Sequence, residues 1–262
     1  MPYTLLARSV HSGEALRLRV LSYNIHAGVE ARRYRHYLTR GWRHVVPHAR
    51  RWRTLDALAP LLAPFDLVAL QETDGGSFRT GFESPTRYLA RAARFPYWFD
   101  QVNRQVGTLA LHGLGLLARL APFEVAQHAL PGLRGRGALV ALFGDRRDPL
   151  VVVCAHLALG RRARLRQVEY LCELVAGRSR VLLMGDLNCA PGSAELDRLT
   201  SRTGLRLVGP GQGGTYPSWE PWRRLDHVLV SPALEIEGCQ VPRWTHSDHL
   251  PVAAEVLLPG GL

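Results

Sequence analysis

The chain has 262 residues, 47% hydrophobic and 21% charged, the proportions of a globular protein long enough to bury a substantial core. That composition excludes a disordered tail, a collagen and a coiled coil, and no run approaches the roughly 20 apolar residues of a membrane-spanning helix. The formal net charge is +11 and all 33 basic residues are arginine, a balance that favours an anionic partner.

In chain order, residues 16–23 alternate as a strand does. Residues 32–53 follow, with eight Arg, three His and no acid, interleaved with Tyr34, Tyr37, Trp42 and Trp52. Arginine mixed with aromatic rings suits a surface that meets phosphates and stacks on flat groups; the plainer reading is a solvated helix face. Trp52, Leu55, Leu58, Leu61 and Leu62 predict a helix interrupted near Pro60 and Pro64. Compact apolar runs at 66–70, 137–143, 150–155, 181–184, 227–230 and 252–257 read as buried strands. Between them, Leu165, Val168, Leu171, Cys172 and Val175 share one face of a helix over 161–176, and 193–200 reads as a short helix after a Pro-Gly turn. Strands and helices mix over the whole length without linker or repeat, so one α/β domain over 1–262 is expected. Residues 1–13 hold no continuous apolar stretch, so no signal peptide is expected and a cytoplasmic location is the default. The four cysteines lack zinc spacing and read as buried thiols.

Polar residues stand where these runs begin or end: Asn24, Glu72, His156, Asp186 with Asn188, Asp226, and Asp248 with His249. Strand ends at one edge of a sheet converge in space, and ligand sites favour that edge. The carboxylate and amide oxygens suit Mg2+, Mn2+ or Ca2+ better than zinc. Two histidines beside carboxylates suit proton transfer or charge stabilisation at a phosphate. Each residue alone reads more simply as a turn or surface residue; the ordered set reads as a site.

The pieces S-Y-N-I-H-A-G (22–28), L-V-A-L-Q-E-T (67–73), V-C-A-H-L (153–157), L-M-G-D-L-N (183–188), R-R-L-D-H-V-L-V-S (223–231) and H-S-D-H-L-P-V (246–252) occur in this order. With them the chain resembles the endonuclease/exonuclease/phosphatase superfamily, the fold of the DNase I-like nucleases. The resemblance implies a four-layer α/β sandwich, two mixed sheets face to face with helices outside, and a site at the rim between the sheets. It implies Glu72 as a principal metal ligand, Asn24 as a residue that helps bind metal or phosphate, and Asp248 as assisting metal binding next to His249. Asp186 would orient and activate the attacking water or bind a second metal. Asn188 and His156 would donate to phosphate oxygens. Asp226 would hold His249, which would act as general base or as the imidazolium that stabilises the phosphorane. The implied cofactor is Mg2+ or Mn2+, with Ca2+ an alternative, and the chemistry is in-line attack of water on phosphorus.

Some positions depart from the common pattern. Leu114 and Ala118 stand where many members have Asn and Ser, in a G-x-G-L-L run similar to that of abasic-site endonucleases. Those enzymes have Tyr in place of His156 and Asp in place of His26. His156 is instead similar to DNase I, sphingomyelinases and inositol-phosphate phosphatases, yet the Glu that supports this histidine in the DNase I group is not identifiable. The Asn-x-His-x-Gly start and T-Y-P-S-W (215–219) resemble small bacterial members. A divalent-metal-dependent phosphodiesterase acting on nucleic acid is the expectation, with Arg32, Arg33, Arg35, Arg43, Trp219 and Trp222 as substrate contacts. A phospholipid head-group phosphodiesterase on an anionic membrane is the runner-up, with Tyr34, Trp42 and Trp52 at the interface. A phosphomonoesterase is third. A non-catalytic binding module is disfavoured because the metal and base residues are all present, and no obligate protein partner is inferred. The 32–53 segment is expected to be mobile without ligand and to bind phosphates flanking the scissile one.

Overall fold

The computed structural model describes residues 15–28, 49–107, 109–132, 134–209, 211 and 213–262. In chain order the elements are β1 (Leu16–Asn24), α1 (Ala49–Leu62), β2 (Leu67–Asp74), α2 (Pro85–Ala92), β3 (Tyr97–Val106), β4 (Ala110–Ala118), β5 (Glu124–Ala129), β6 (Gly137–Phe143), β7 (Leu150–His156), α3 (Arg161–Leu174), β8 (Arg180–Asp186), α4 (Ala194–Thr203), β9 (Arg206–Leu207), β10 (Asp226–Val230), β11 (Glu235–Gln240) and β12 (Val252–Leu258). Among the described residues the strands form two six-stranded sheets, ordered β11-β12-β1-β2-β4-β3 and β5-β6-β7-β8-β10-β9. Each sheet holds one parallel pair, β1 with β2 and β7 with β8, and its other pairs are antiparallel.

Three apolar clusters set the layers. Leu18, Val20, Leu67 and Ala69 meet Leu150, Val152, Leu182 and Met184 between the sheets. Leu21, Tyr23, Val68 and Leu70 point the other way, onto Leu55, Leu58 and Leu62 of α1 and Leu89 of α2. Val151, Val153, Val181 and Leu183 likewise face Val168 and Leu171 of α3 and Leu196 and Leu199 of α4. A period of two along every central strand thus buries both faces of both sheets, which is why those strands read as continuous apolar runs. The product is the expected α/β sandwich of helix, sheet, sheet and helix.

The strands without an apolar run lie at or near the sheet edges. β5 mixes exposed and half-buried positions, and β11 is largely exposed. Edge strands keep a solvated face and so carry charged and polar residues that mask their periodicity. The predicted interruption of the first helix at Pro60 is corrected: Pro60 lies inside α1, which continues to Leu62 and ends before Pro64. Leu58 and Leu62 are both buried in the helix–sheet cluster, and that packing carries the final turn past the missing amide. No helix among the described residues is long and apolar enough to cross a membrane.

Candidate active site

Strand registry assembles the site. On β7, β8 and β10 the inward-facing residues are the even-numbered ones, among them Val152 and Cys154, Leu182 and Met184, Val228 and Val230. Continuing each row to the strand end places His156, Asp186 and Asp226 on the same inward face. The register pairs His156 with Asp186 and Asp186 with Asp226, so the three stand side by side on neighbouring strands. β7 and β8 approach closely here, because a Cβ on Gly185 would lie 1.9 Å from the Ala155 carbonyl oxygen; only glycine fits. On the facing sheet, Leu18 and Val20 point inward, and the same row ends at Asn24. Its Nδ2 donates to Asp186 Oδ2 at 3.1 Å across the cleft, and its Oδ1 accepts from the His26 amide at 3.1 Å.

Glu72 reaches the cleft by a different device. Gln71 pairs with Leu114 and Thr73 with Gly113, so Glu72 is the extra residue of a β-bulge and adopts a left-handed φ of 52°. The bulge re-aims a side chain that regular alternation would turn away from Gln71. Asp74 then fixes the turn: its buried carboxylate accepts from the amides of Gly76 and Ser77 at 2.9 and 2.7 Å and from Arg79 Nε at 2.5 Å. No hydrogen bond among the described residues holds the Glu72 carboxylate; His156 Nε2 lies 3.9 Å away. Partial burial would raise its carboxyl pKa, but His26 and His156 outweigh that and lower it.

On the other flank His249 Nδ1 lies 2.8 Å from Asp226 Oδ2, and His249 Nε2 lies 3.9 Å from Asp186 Oδ2. Burial alone would lower the imidazole pKa; Asp226 and Asp186 overcome it and raise it well above the ordinary histidine value. Asp186 is pushed up to about 7, first by burial and then by the neighbouring Asp226. The 215–218 loop braces this flank. Thr215 Oγ1 accepts from the Leu225 and Asp226 amides, and the Ser218 amide donates to the Asp248 carbonyl at 2.7 Å. The Tyr216 ring packs on His249 with centroids 4.8 Å apart.

His156 has an unexpected neighbour. In place of a supporting carboxylate, Arg136 Nη1 lies 3.5 Å from His156 Nδ1. A guanidinium only donates, so Nδ1 is the acceptor and the ring proton sits on Nε2. Nε2 faces Asp186 Oδ2 at 3.4 Å. Burial, then Arg136, lower the His156 pKa to about 3, so the ring is neutral.

Among the described residues, the acidic and histidine ligand atoms that gather within 4.8 Å of one another are those of Asp186, Asp226 and His249. His249 spends Nδ1 on Asp226, so this trio is better suited to carrying a proton than to enclosing an ion. Of the expected metal set of Glu72, Asn24 and Asp248, Asp248 Oδ1 is met by His26 Nδ1 at 3.2 Å. Glu72 nevertheless fits an ion. Mg2+ is often held by one or two carboxylates and completed by water and phosphate oxygens, and Glu72 is a carboxylate that no hydrogen bond among the described residues commits.

Arg32, Arg33, Arg35 and Arg43, and the expected mobility of their segment, fall outside the described residues. Residues 49–53 of the 32–53 run are described; Arg53 is exposed, whereas Arg51 and Trp52 are turned to the fold. Arg51 is buried and donates to the Arg79 carbonyl. Trp52, expected at a membrane interface, is half-buried, packing against the α1 cluster and on Tyr88, 4.9 Å between centroids. Trp219 is half-buried, and Trp222 is exposed with the Arg223 guanidinium 5.6 Å from its ring centre. Asn188, with a left-handed φ of 52°, gives an amide hydrogen to the Leu157 carbonyl at 3.0 Å and its backbone amide to Asp186 Oδ1 at 3.0 Å. Sequence reasoning did not single out Arg136, His26 or Tyr216 as site residues. For His26 and Tyr216 the signal was membership of quoted motifs; Arg136 lies in a loop with none.

The sequence profile of the "Endonuclease/Exonuclease/phosphatase family" matches residues 21–249. No curated protein matches the sequence. Solved structures do. An endonuclease/exonuclease/phosphatase from Beutenbergia cavernae superposes with a TM-score of 0.72 at 21% identity, covering 93% of this chain and 72% of its own. A mannosyl-6-phosphatase of Bacteroides thetaiotaomicron gives 0.68 at 17% identity, covering 91% and 99%. D. rerio TDP2 complexed with a single-strand DNA product gives 0.66 at 17% identity, covering 92% and 98%. Motifs, sandwich and profile agree: the chain belongs to the endonuclease/exonuclease/phosphatase family.

Proposed function

We propose that this protein is a divalent-metal-dependent phosphodiesterase that cleaves nucleic acid by in-line attack of water on phosphorus. The observation that carries the reading is the row His156–Asp186–Asp226, in register on three adjacent strands with His249 bonded to Asp226 at 2.8 Å. That row offers a base, a fixed cation and a neutral donor around one point.

Each side chain takes a role from its surroundings. Asp186, with its pKa near 7, is poised to accept a proton from water at neutral pH. His249, kept protonated by Asp226, places a positive charge where the phosphorane develops negative charge. His156 offers Nε2–H to a non-bridging oxygen. Asn188 has a second amide hydrogen beyond the one given to Leu157, and it points the Asp186 carboxylate through its backbone amide. Glu72, with Asp248 and Asn24 nearby, would hold Mg2+ or Mn2+, which supplies charge neutralisation on phosphate oxygens. The +11 net charge supports a polyanionic substrate. The test is hydrolysis of bis-p-nitrophenyl phosphate with Mg2+ or Mn2+, followed by plasmid DNA, abasic-site duplex, RNA, cardiolipin and inositol phosphates side by side. Activity that survives both EDTA and Asp186→Asn overturns the mechanism; turnover of cardiolipin alone overturns the substrate class.

A second reading, a phosphomonoesterase of small phosphorylated molecules, is favoured by one observation. The cavity beside Glu72 and His156 measures about 360 Å³, within the range of small-molecule sites. Faster hydrolysis of sugar phosphates than of any polynucleotide would establish it.

A further inference from the structure

The turn that follows Glu72 is built inside out. After β2 the chain makes one 3-10 turn, Phe78–Thr80, before α2 begins at Pro85. The polar residues here face inward: Asp74, Ser77, Arg79 and Thr80 are buried. The apolar ones face outward: Phe78 is 41% exposed and Phe82 68%. Val102 on β3 and Leu109 in the β3–β4 hairpin flank the turn and are exposed as well. A Cβ on Gly75 would press on Val102, and the Leu109 carbonyl accepts from the Arg79 amide and the Ser77 hydroxyl. Single apolar side chains on a surface need no explanation, but a gathered apolar patch marks a contact site.

Hydrogen bonds fix the turn. The Asp74 carboxylate that takes the Gly76 and Ser77 amides also accepts from the hydroxyls of Ser77 at 2.8 Å and Thr80 at 3.3 Å, and from the Leu111 amide at 3.2 Å. The Phe82 amide donates to the Ser77 carbonyl at 2.9 Å. Phe82 has a left-handed φ of 64°, a conformation that costs free energy for a bulky residue and persists because its surroundings impose it. The two rings meet edge to face, with centroids 6.3 Å apart and planes at 70°, an arrangement that leaves ring faces open to solvent.

The turn also adjoins the cleft. Gly75, where it begins, can lie at most about 11 Å from Glu72. Asp74 pairs with His112, which lines the cavity together with Glu72 and His156. A ligand for this place brings flat apolar groups to the rings and suits a chain of net charge +11. A second copy of the chain carries the same +11 and is repelled. A nucleic-acid strand meets both conditions, since its bases supply π-faces on a polyanionic backbone. Bases inside a duplex keep those faces covered by their neighbours, so an unstacked base is what two exposed rings can receive.

We propose that Phe78 and Phe82 form a stacking platform for unstacked bases of the strand whose phosphate is attacked beside Glu72 and His156. The proposal rests on the nucleic-acid reading for its location and adds the state of the substrate, a single-stranded or locally unpaired strand.

The test uses the full chain in EDTA, so that binding is read without turnover. The unaltered protein should bind a short oligothymidylate about tenfold or more tightly than a base-free strand of the same length and charge, because stacking adds to the phosphate contacts that both strands make. Pairing the oligothymidylate with its complement should weaken its binding. Phe78→Leu with Phe82→Leu keeps apolar bulk at two surface positions and removes the π-faces. The double variant should lose the preference for bases and bind the base-free strand as before, which also reports an intact fold. Equal binding of the two strands by the unaltered protein, tighter binding of the duplex, or an unchanged preference in the double variant overturns the platform. Co-sedimentation with phosphatidylglycerol vesicles that the variant loses while it keeps the base preference overturns it in favour of a membrane contact. A protein that cleaves DNA without any base preference keeps the enzymatic reading and loses the platform. One that shows the preference, loses it in the variant and cleaves no nucleic acid keeps the platform and loses the enzymatic reading.

Discussion

On the β8–β10 side of the cleft the charged side chains hold one another. His249 lies between Asp226 at 2.8 Å and Asp186 at 3.9 Å, and Asn24 reaches Asp186 from the facing sheet at 3.1 Å. On the β2–β7 side, among the described residues, Glu72 has no hydrogen bond and Arg104 and Arg134 have no carboxylate within 4.0 Å, beside a 360 Å³ cavity. Preorganised dipoles serve catalysis because they need no rearrangement at the moment of reaction. Unsatisfied charges serve binding because a ligand completes them. The two flanks thus divide the labour, chemistry on one and recognition on the other.

The largest effects should come from the braced flank. Asp186→Asn and His249→Ala are each expected to lower kcat on bis-p-nitrophenyl phosphate by about 10³-fold, within the range for positioned acid–base groups. KM and the Mg2+ dependence should change little. If either variant instead acts mainly through KM, the division between the flanks fails.

The division also marks what could be read in the sequence. His156, Asp186 and Asp226 were legible because each ends a run of buried residues whose period of two carries straight into the site. Glu72 was legible only as part of a motif, since its aim depends on a bulge that a strand pattern does not contain. Arg136 was not legible: it acts on His156 across 20 residues of sequence, through a loop whose composition resembles any other arginine-rich loop of this chain. The edge strands β5 and β11 were missed for a related reason, because their exposed faces break up the apolar pattern. The central layers, buried on both faces, left nothing for polar residues to obscure.

The next effect concerns the scaffold below the braced flank. His227, on β10, is buried and its Nε2 donates to the Cys189 carbonyl at 2.8 Å, while Nδ1 has no partner among the described residues. Burial, the largest cause, lowers its pKa to about 4 despite the bond to Cys189. The unfolded chain takes up the proton near 6.5 and the folded chain resists it. The stabilisation is therefore complete above pH 6.5 and is lost as pH falls toward 4, by roughly 3 kcal/mol at most. His227→Gln keeps a donor to Cys189, so urea melts of the variant at pH 7 and pH 4.5 should differ by less than those of the unaltered protein. An identical difference would show that other groups govern acid unfolding.

Glu72→Gln probes the open flank and should shift a different quantity. The variant keeps size and loses the charge that attracts a cation, so the Mg2+ concentration for half-maximal rate should rise at least about tenfold. At saturating Mg2+ most of kcat should return. A loss of kcat that no Mg2+ concentration restores, with unchanged Mg2+ dependence, would move Glu72 into the same functional class as Asp186 and erase the contrast between the flanks.

The smallest effect tests the one point where the flanks touch. His156 belongs to both, with Nε2 toward Asp186 at 3.4 Å and Nδ1 toward Arg136 at 3.5 Å. Burial is the first cause of its lowered pKa and Arg136 the second. Removing the guanidinium by Arg136→Gln should therefore raise the His156 pKa, yet leave it below the ordinary value of about 6.5, because burial persists. Glutamine can still donate to Nδ1, so the tautomer should be retained and Nε2 should keep its proton. The measurement is the pH titration of the His156 ring by 15N NMR in the metal-free protein, which reports protonation and tautomer separately. A titration that moves upward with the proton still on Nε2 makes Arg136 the group through which the open flank tunes the donor. A titration that does not move, or a ring that switches its proton to Nδ1, would mean that burial alone keeps the ring neutral or that Arg136 is what fixes the tautomer, and either result separates the two influences that the geometry superimposes.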